Sequence, residues 1–125
     1  MSAVLDAGAL IGLDKRDRTI GAMLRLLHRD GVPVRTSAGV VAQVWRNGRT
    51  QANLARVLPG LDVVALDEVA GKRVGELLGA NKTRDIVDAH LAQLVESGDT
   101  VFTSDESDIQ ALLRTRRVGA TVVRV

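Results

Sequence analysis

The amino-acid sequence predicts one α/β domain, in which a mostly parallel sheet of about five strands lies between two layers of helices. Short apolar runs alternate along the chain with longer segments whose apolar residues recur at helical spacing, which favours this three-layer α/β/α class. The 125 residues suffice for a hydrophobic core and contain no repeat, low-complexity tract or linker. We therefore assign residues 1–125 to a single domain.

The first elements are predicted from apolar runs and from residues that begin or end helices. "AVLD" at residues 3–6 predicts a strand that ends in an acid. "TIGAMLRLLHRDG" predicts a helix, because its apolar residues share one helical face and Gly31 is a natural stop. "VPVRT" at 32–36 predicts a second strand, and Pro33 favours a position early in the strand or at a sheet edge.

The middle of the chain predicts two more helices and a strand. Ser37 is a good N-cap for a helix over "AGVVAQVWR". The buried stripe of that helix would consist of Val40, Val41, Val44 and Trp45. A short helix over "TQANLARVL" precedes the Pro59-Gly60 break, and "LDVVAL" at 61–66 predicts the third strand.

The last part of the chain repeats the alternation of helices and strands. Asp67 is expected to cap a helix that turns its apolar residues inward, namely Val69, Ala70, Val74, Leu77 and Leu78. "RDIVDAHLAQLVESG" predicts the next helix, which Gly98 ends. "TVFT" at 100–103, "DESDIQALLRT" and "ATVVRV" then predict a strand, a helix and a last strand.

The composition disfavours several classes of function. One Trp, one Phe and no Tyr leave no aromatic platform for stacking bases. The absence of Cys excludes disulfides and thiolate metal sites and fits a reducing cytosol. Neither a membrane span nor a signal peptide is visible, so we expect a cytoplasmic protein. A net charge of +2 is compatible with a polyanionic partner but is too small to identify one.

Acidic residues are predicted to meet at one edge of the sheet. Asp6 ends the first strand, Asp105 follows the fourth in "FTSDESD", and Asp85 opens a helix. Ligands of parallel α/β sheets bind beyond the carboxyl ends of the strands, so these residues would share a site, with Asp88 and Asp108 one helical turn behind. Carboxylate oxygens suit Mg²⁺ or Mn²⁺, and such an ion would offset their repulsion and activate water.

Each acid also has an ordinary structural explanation. Asp85 and Asp105 are suitable helix N-caps, and the helix dipole favours Asp108 in a first turn. A single strand-end acid such as Asp6 is weak evidence by itself, so the argument depends on the convergence of the acids. His90 lies on the apolar stripe of its helix, and we expect a buried, hydrogen-bonded histidine rather than a ligand or base.

Four segments resemble those of a known family: "VLDAGALIGL", "TSAGVVAQVWR", "DIVDAHLA" and "VFTSDESDI". In this order and spacing they resemble the PIN-domain nucleases, and more narrowly the VapC-type toxins of prokaryotic type II toxin–antitoxin systems. The resemblance covers nearly the whole chain. It implies a PIN-like fold and a Mg²⁺- or Mn²⁺-dependent endoribonuclease that cleaves RNA. It also implies a homodimer and a cognate VapB-type antitoxin that inhibits the enzyme.

Carried over by position, the resemblance assigns Asp6, Asp85 and Asp105 as catalytic residues and metal ligands. Asp108 matches a further acidic position of the family, and we expect Asp108 and Asp88 to belong to the metal site as well. Asp88 is less standard, and it either joins the acidic cluster or binds an arginine of a neighbour.

Two positions depart from the family pattern. Gln43 stands where the third helix usually carries Glu, and Gly8 stands where the family often has Ser or Thr. A glutamine offers an oxygen to a metal-bound water but neutralises no charge, so both changes predict weaker metal binding. A second interpretation therefore stays open, in which the domain is a non-catalytic or weakly active PIN-like module that binds RNA or a protein.

Basic residues flank the predicted site, and two rival classes lack their motifs. Arg46, Arg49, Lys82 and Arg84 would neutralise an RNA backbone, although solvated surface charge is the ordinary alternative. A receiver domain needs an acidic pair at the first strand and a lysine near the last. A haloacid-dehalogenase-type phosphatase needs D-x-D, and "DAGA" has no second acid.

Overall fold

The computed structural model describes residues 1–125, and its centre is a five-stranded sheet in the order β3-β2-β1-β4-β5. The strands are β1 (Ala3–Leu5), β2 (Val34–Ser37), β3 (Asp62–Val64), β4 (Thr100–Thr103) and β5 (Thr121–Arg124). Every neighbouring pair is parallel. The α/β class that the sequence predicts is confirmed, and the sheet is parallel throughout.

Helices connect the strands and cover the sheet. They are α1 (Ala7–Asp14), α2 (Arg18–Arg29), α3 (Ala38–Val44), α4 (Ala52–Val57), α5 (Glu68–Asn81), α6 (Ile86–Leu94) and α7 (Glu106–Arg116), with a 3₁₀ turn at Leu58–Gly60. Right-handed crossovers place α1 to α4 on one face and α5 to α7 on the other. The packing agrees, since α1 contacts α2, α3 and α4, and α5 contacts α6 and α7. Helix α3 also reaches α6 of the other layer, where Gly39 lies against Val87.

Helix α1 is the one element that the sequence analysis does not anticipate. Its residues, AGALIGLD, are apolar almost throughout, so they lack the alternation of apolar and polar faces that identifies a surface helix. The helix forms because Asp6 caps it and because Ala9, Leu10 and Leu13 are buried in the core.

The caps predicted at Ser37 and Asp67 are correct, while several helices are shorter than predicted. Ser37 accepts a hydrogen bond from Gly39 N–H, and Asp67 accepts one from Ala70 N–H. Helix α3 ends at Val44, and α6 spans Ile86–Leu94. Elements of the predicted type are otherwise present, with bounds that differ by a few residues.

One prediction about helix α5 is wrong. Val74 and Leu77 are buried, but Val69 is 61% exposed. At 3.6 residues per turn, Val69 lies far around the helix from the face that carries Val74, Leu77 and Leu78. The face that packs against the core is therefore narrower than the apolar content of the helix suggests.

The core consists of aliphatic residues from both helical layers and the central strands. Val4 and Leu5 of β1 are completely buried, and Trp45 packs against the core from the end of α3, as predicted. None of the helices is both long and apolar enough to cross a bilayer. The central position of β1 brings the first residues of the chain beside β4.

Candidate acidic site

The acids lie where the order of the strands reverses. The chain leaves β1 towards β2 and leaves β4 towards β5, so the topological switch point is between β1 and β4. Such a point leaves a crevice beyond the carboxyl ends of the strands. Leu5 pairs with Phe102, so the two strands end side by side, with Asp6 following one and Ser104 and Asp105 following the other.

Asp6 is a buried carboxylate held by three hydrogen-bond donors. It is 5% exposed. Ala9 N–H donates to Oδ1 at 3.1 Å and thereby caps α1. The Thr103 hydroxyl and the Ser104 backbone N–H donate to Oδ2 at 2.5 and 2.9 Å. Asp6 is therefore both a helix cap and a fixed element of the crevice.

Thr103 connects Asp6 to Asp105. Its hydroxyl donates to Asp6 and accepts a hydrogen bond from the Asp105 backbone N–H at 2.9 Å. Asp105 occupies the N-cap position of α7, as predicted, but its side chain makes no capping hydrogen bond. Desolvation, followed by the charges of Asp6, Asp108 and Asp85, raises the pKa of Asp105.

Helix α6 supplies two acids in different roles. Asp85 Oδ1 accepts a hydrogen bond of 2.9 Å from Asp88 N–H, so Asp85 is an N-cap, as the structural explanation predicts. Asp88 is only partly exposed. Desolvation is the largest cause that raises the pKa of Asp88 to about 7, and the charges of Asp85, Asp105, Asp108 and Asp6 raise it further. All four other acids act on Asp88, so it joins the cluster.

We call these five residues the acidic cluster: Asp6, Asp85, Asp88, Asp105 and Asp108. A cavity of about 170 Å³ beside it is lined by Asp85, Asp88 and Asp108. No ion pair neutralises the cluster, since the two salt bridges of the protein join Arg29 to Asp30 and Arg35 to Asp62. The charges of the acids are therefore left unbalanced by the protein itself.

The acidic cluster fits a divalent cation by its chemistry, whereas its side chains must rotate to surround one. Its donors are carboxylate oxygens, which hard cations prefer. No group of three acidic or histidine side chains stands in an arrangement that could hold an ion. Asp105 and Asp108 are exposed and their carboxylates accept no hydrogen bond within the protein, whereas Asp6 is fixed by its donors. The ligand set of Asp6, Asp85 and Asp105 stays a prediction.

Gln43 is exposed, and its side chain makes no hydrogen bond within the protein. It lies one turn beyond Gly39, where an added Cβ would be 3.3 Å from Val87 Cγ2 of α6. Residues four apart share a helix face, so Gln43 lies on the side of α3 that faces α6.

The flanking basic residues differ in how free they are. The Arg46 guanidinium donates to the carbonyls of Ala42 and Trp45, so it satisfies the end of its own helix. Arg84 is exposed, makes no ion pair and directly precedes Asp85. Lys82 ends α5 in the left-handed conformation, with φ of 54°. Arg84 is thus better placed than Arg46 to meet an anion at the acidic cluster.

His90 is buried as predicted but is only partly satisfied. It is 1% exposed, and its Nδ1 lies 2.6 Å from Ser37 Oγ. The Nε2 atom is buried without a hydrogen-bond partner. Burial lowers the pKa of His90, and the charge of Asp67 acts in the opposite direction. His90 therefore supports the core and is not a base for the acidic cluster.

A larger groove of about 720 Å³ lies among α1, α2 and α4, away from the acidic cluster. Its apolar floor is bordered by Arg16, Arg18, Arg25 and Arg56. Its one acid, Asp17, caps α2. The groove offers no group for hydrolysis, so its size does not make it the reaction site. Arginines are frequent in residues 16–29, but no pattern in the sequence predicts a groove there.

Comparisons with known proteins support the fold. No family model and no curated protein sequence matches this chain. The chain is similar to one in the crystal structure of VapBC2 from Rickettsia felis bound to a DNA fragment from their promoter. The TM-score is 0.69 at 15% identity, over 98% of this chain and 99% of that chain. At this identity the likeness concerns the fold, and the chain has the PIN-like α/β fold that its sequence predicts.

Proposed function

We propose that the protein is a Mg²⁺- or Mn²⁺-dependent endoribonuclease and the toxin of a type II toxin–antitoxin system. The observation that carries this proposal is the position of the acids at the switch point of the sheet, without a basic partner. Asp6 and Asp105 are joined through the Thr103 hydroxyl, and Asp85, Asp88 and Asp108 line one cavity. Protons or cations must offset such a concentration of negative charge at neutral pH. The fold likeness to VapBC2 supports the toxin–antitoxin part of the proposal.

The residues take distinct roles in this reaction. Asp6, Asp85 and Asp105 would hold the ion, which supplies a water of lowered pKa and stabilises charge that develops on the scissile phosphate. Thr103 and Ser104 fix the orientation of Asp6. Asp88, whose pKa is raised to about 7, accepts a proton from the attacking water, while Asp108 adds charge beside it.

The RNA is bound through its backbone in this proposal. Arg84 and Lys82 lie in the segment that leads into Asp85 and would contact phosphates next to the acidic cluster. The lack of aromatic residues makes base stacking a minor contribution. The proposed protein partners are a VapB-type antitoxin and a second copy of this chain, as in the resemblance.

A second candidate function has its own support. Gln43 carries no charge, and no three acids are arranged to hold an ion. Both observations favour a PIN-like module that binds RNA or a protein without cleaving RNA. We place this candidate second because it includes no cation that would offset the repulsion between the carboxylates of the acidic cluster.

The deciding experiment uses Asp105→Asn, because the carboxylate of Asp105 is exposed and makes no capping hydrogen bond. Mn²⁺ binding is measured by calorimetry and cleavage is measured on a structured RNA. The wild type should bind Mn²⁺ and cleave, and Asp105→Asn should lose both. Asp30→Asn, at a surface ion pair far along the chain from the cluster, is the matched control and should retain both.

Two outcomes contradict the proposal in different ways. Cleavage by Asp105→Asn at the wild-type rate would remove Asp105 from the mechanism. A wild type that binds RNA, gives no heat with millimolar Mg²⁺ or Mn²⁺ and leaves the RNA intact would establish the non-catalytic module instead.

A further inference from the structure

Gly8 and Ser104 pack directly against each other beside Asp6. Gly8 lies in the first turn of α1, and Ser104 directly follows β4. A Cβ at position 8 would lie 2.7 Å from Ser104 Oγ and 2.9 Å from Ser104 Cβ, closer than a Cβ carbon approaches neighbouring atoms. Gly8 does not have a positive φ, so its backbone does not require glycine. The side chain of Ser104 is what leaves room only for glycine at position 8.

The hydroxyl of Ser104 stands next to the fixed carboxylate. The position that a Cβ of residue 8 would occupy is also 3.2 Å from Asp6 Oδ1. The hydroxyl and this oxygen therefore border the same small space. The Ser104 backbone N–H donates to Asp6 Oδ2, which fixes the residue, while its hydroxyl makes no hydrogen bond within the protein. Ser104 is exposed, so its hydroxyl is accessible from solvent.

The other hydrogen-bond donors that residues 103–105 direct towards Asp6 are already committed. The backbone N–H groups of Ala9 and Ser104 and the hydroxyl of Thr103 donate to Asp6. The backbone N–H of Asp105 donates to Thr103. Ionised carboxylates only accept hydrogen bonds, and so do the oxygens of a phosphodiester. Between Thr103 and Asp105, the Ser104 hydroxyl is therefore the one donor free to meet a phosphate.

We propose that Ser104 binds the scissile phosphodiester of an RNA by donating a hydrogen bond from its hydroxyl to a phosphate oxygen. Gly8 has no side chain and therefore leaves room for this hydroxyl. The inference rests on the proposed nuclease function and assigns one further substrate contact to it. Arg84, directly before Asp85, supplies positive charge, whereas Ser104 supplies a hydrogen-bond donor of fixed position beside Asp6.

The first test compares Ser104→Ala with Ser107→Ala, a control at an exposed serine in the first turn of α7. Affinity is measured for a short labelled stem-loop RNA in Ca²⁺, which takes the same oxygen ligands. Ser104→Ala should weaken RNA binding by roughly ten-fold or more, which is what a hydrogen bond to a charged phosphate oxygen contributes. Its thermal midpoint and Mn²⁺ affinity should equal those of the wild type, whereas a purely structural role would lower the midpoint.

A second set of variants separates the hydroxyl from its packing. Gly8→Ala should displace Ser104, lower the thermal midpoint and weaken RNA binding. Adding Ser104→Gly to Gly8→Ala should restore the midpoint but not the affinity. The pair Gly8→Ser with Ser104→Gly returns a hydroxyl from the opposite wall and should recover much of the affinity.

The outcomes distinguish this inference from the proposed function. If the wild type binds the RNA and cleaves it while Ser104→Ala binds it equally well, the role of Ser104 is refuted and the nuclease stands. If the wild type neither binds Mn²⁺ nor engages the RNA, the nuclease proposal fails, and the ligand assigned to Ser104 fails with it.

Discussion

The hydroxyl of Thr103 donates a hydrogen bond of 2.5 Å to Oδ2 of Asp6, a residue 97 positions earlier in the chain. The same hydroxyl accepts from the backbone of Asp105. One threonine side chain thus joins the ends of two neighbouring strands and sets the relative positions of two acids. The threonine two residues before Asp105 in "VFTSDESDI" has a physical reason here, because only a side chain that both donates and accepts makes this link.

Replacing Thr103 by valine keeps the shape of the side chain and removes the link. Thr103→Val should lower the free energy of unfolding by about 1–3 kcal/mol, because a buried carboxylate and a backbone N–H each lose a partner. It should also weaken Mn²⁺ binding. Thr36→Val is the matched control, since Thr36 is fully buried and its hydroxyl donates to the carbonyl of Leu5. Chemical unfolding and calorimetry of both variants check this, and equal Mn²⁺ affinities in the two would contradict the link.

Asp6 should tolerate even a conservative change poorly. Asp6→Asn replaces one of two acceptor oxygens by an amide nitrogen, which leaves some of its three donors unpaired, and we expect a loss of about 2–4 kcal/mol. Asp17→Asn is the control, because Asp17 is an exposed cap and asparagine caps helices equally well. Urea denaturation should show a change within about 0.5 kcal/mol for the control. A similar small change for Asp6→Asn would contradict the hydrogen-bond arrangement described here.

The stability of the protein should depend on the protonation of Asp88. Its pKa is raised from 3.8 to about 7 on folding, by desolvation first and then by the charges of the other four acids. The folded state therefore binds the proton more tightly, and this group lowers the free energy of unfolding as the pH rises from about 4 to about 7. Asp88→Asn should be more stable than the wild type by about 1–2 kcal/mol at pH 8, a value reduced by solvent screening, and equal to it at pH 4.

Urea denaturation of the wild type and Asp88→Asn between pH 4 and pH 8 measures this difference. Asp30→Asn is the control, and its difference from the wild type should not follow the same pH dependence. Parallel curves of unfolding free energy against pH for the wild type and Asp88→Asn would show that folding does not raise the pKa of Asp88.

Gln43 offers a gain-of-function test. Gln43→Glu adds a charge on the face of α3 that faces α6, so Mg²⁺ affinity should increase by roughly ten-fold, since charge count tunes such sites. Ala42→Glu adds the same charge at the neighbouring exposed position and should have a much smaller effect. Calorimetric titration with Mg²⁺ compares the two. Equal affinities would mean that position 43 acts only through the net charge of the protein.

The fold follows from local signals that tertiary packing leaves intact. Ser37 and Asp67 are caps whose roles depend on the adjacent residues alone, so the sequence predicts them correctly. Helix α1 escapes prediction because its nearly uniform apolar content has no period. Its helical state depends on burial and on the cap from Asp6, both of which require the folded sheet.

The gathering of the acids is also predictable, because strand ends meet at one edge of a parallel sheet. The details of the site are not predictable in the same way. Two of these details depend on atomic packing across elements far apart in sequence: the half-buried state of Asp88 and the contact between Gly8 and Ser104. A third is the hydrogen bond that Arg46 donates to the carbonyl of Ala42 in its own helix. A linear sequence contains no local signal for such contacts.

The pairing of β1 with β4 has a consequence for the timing of synthesis. Asp6 leaves the ribosome before its partners exist, since Thr103 and Ser104 are translated 97 and 98 residues later. A nascent polypeptide therefore holds the first carboxylate without the partners that orient it. Under the proposed function, a growing chain surrounded by ribosomal and messenger RNA is harmless until these donors have been translated.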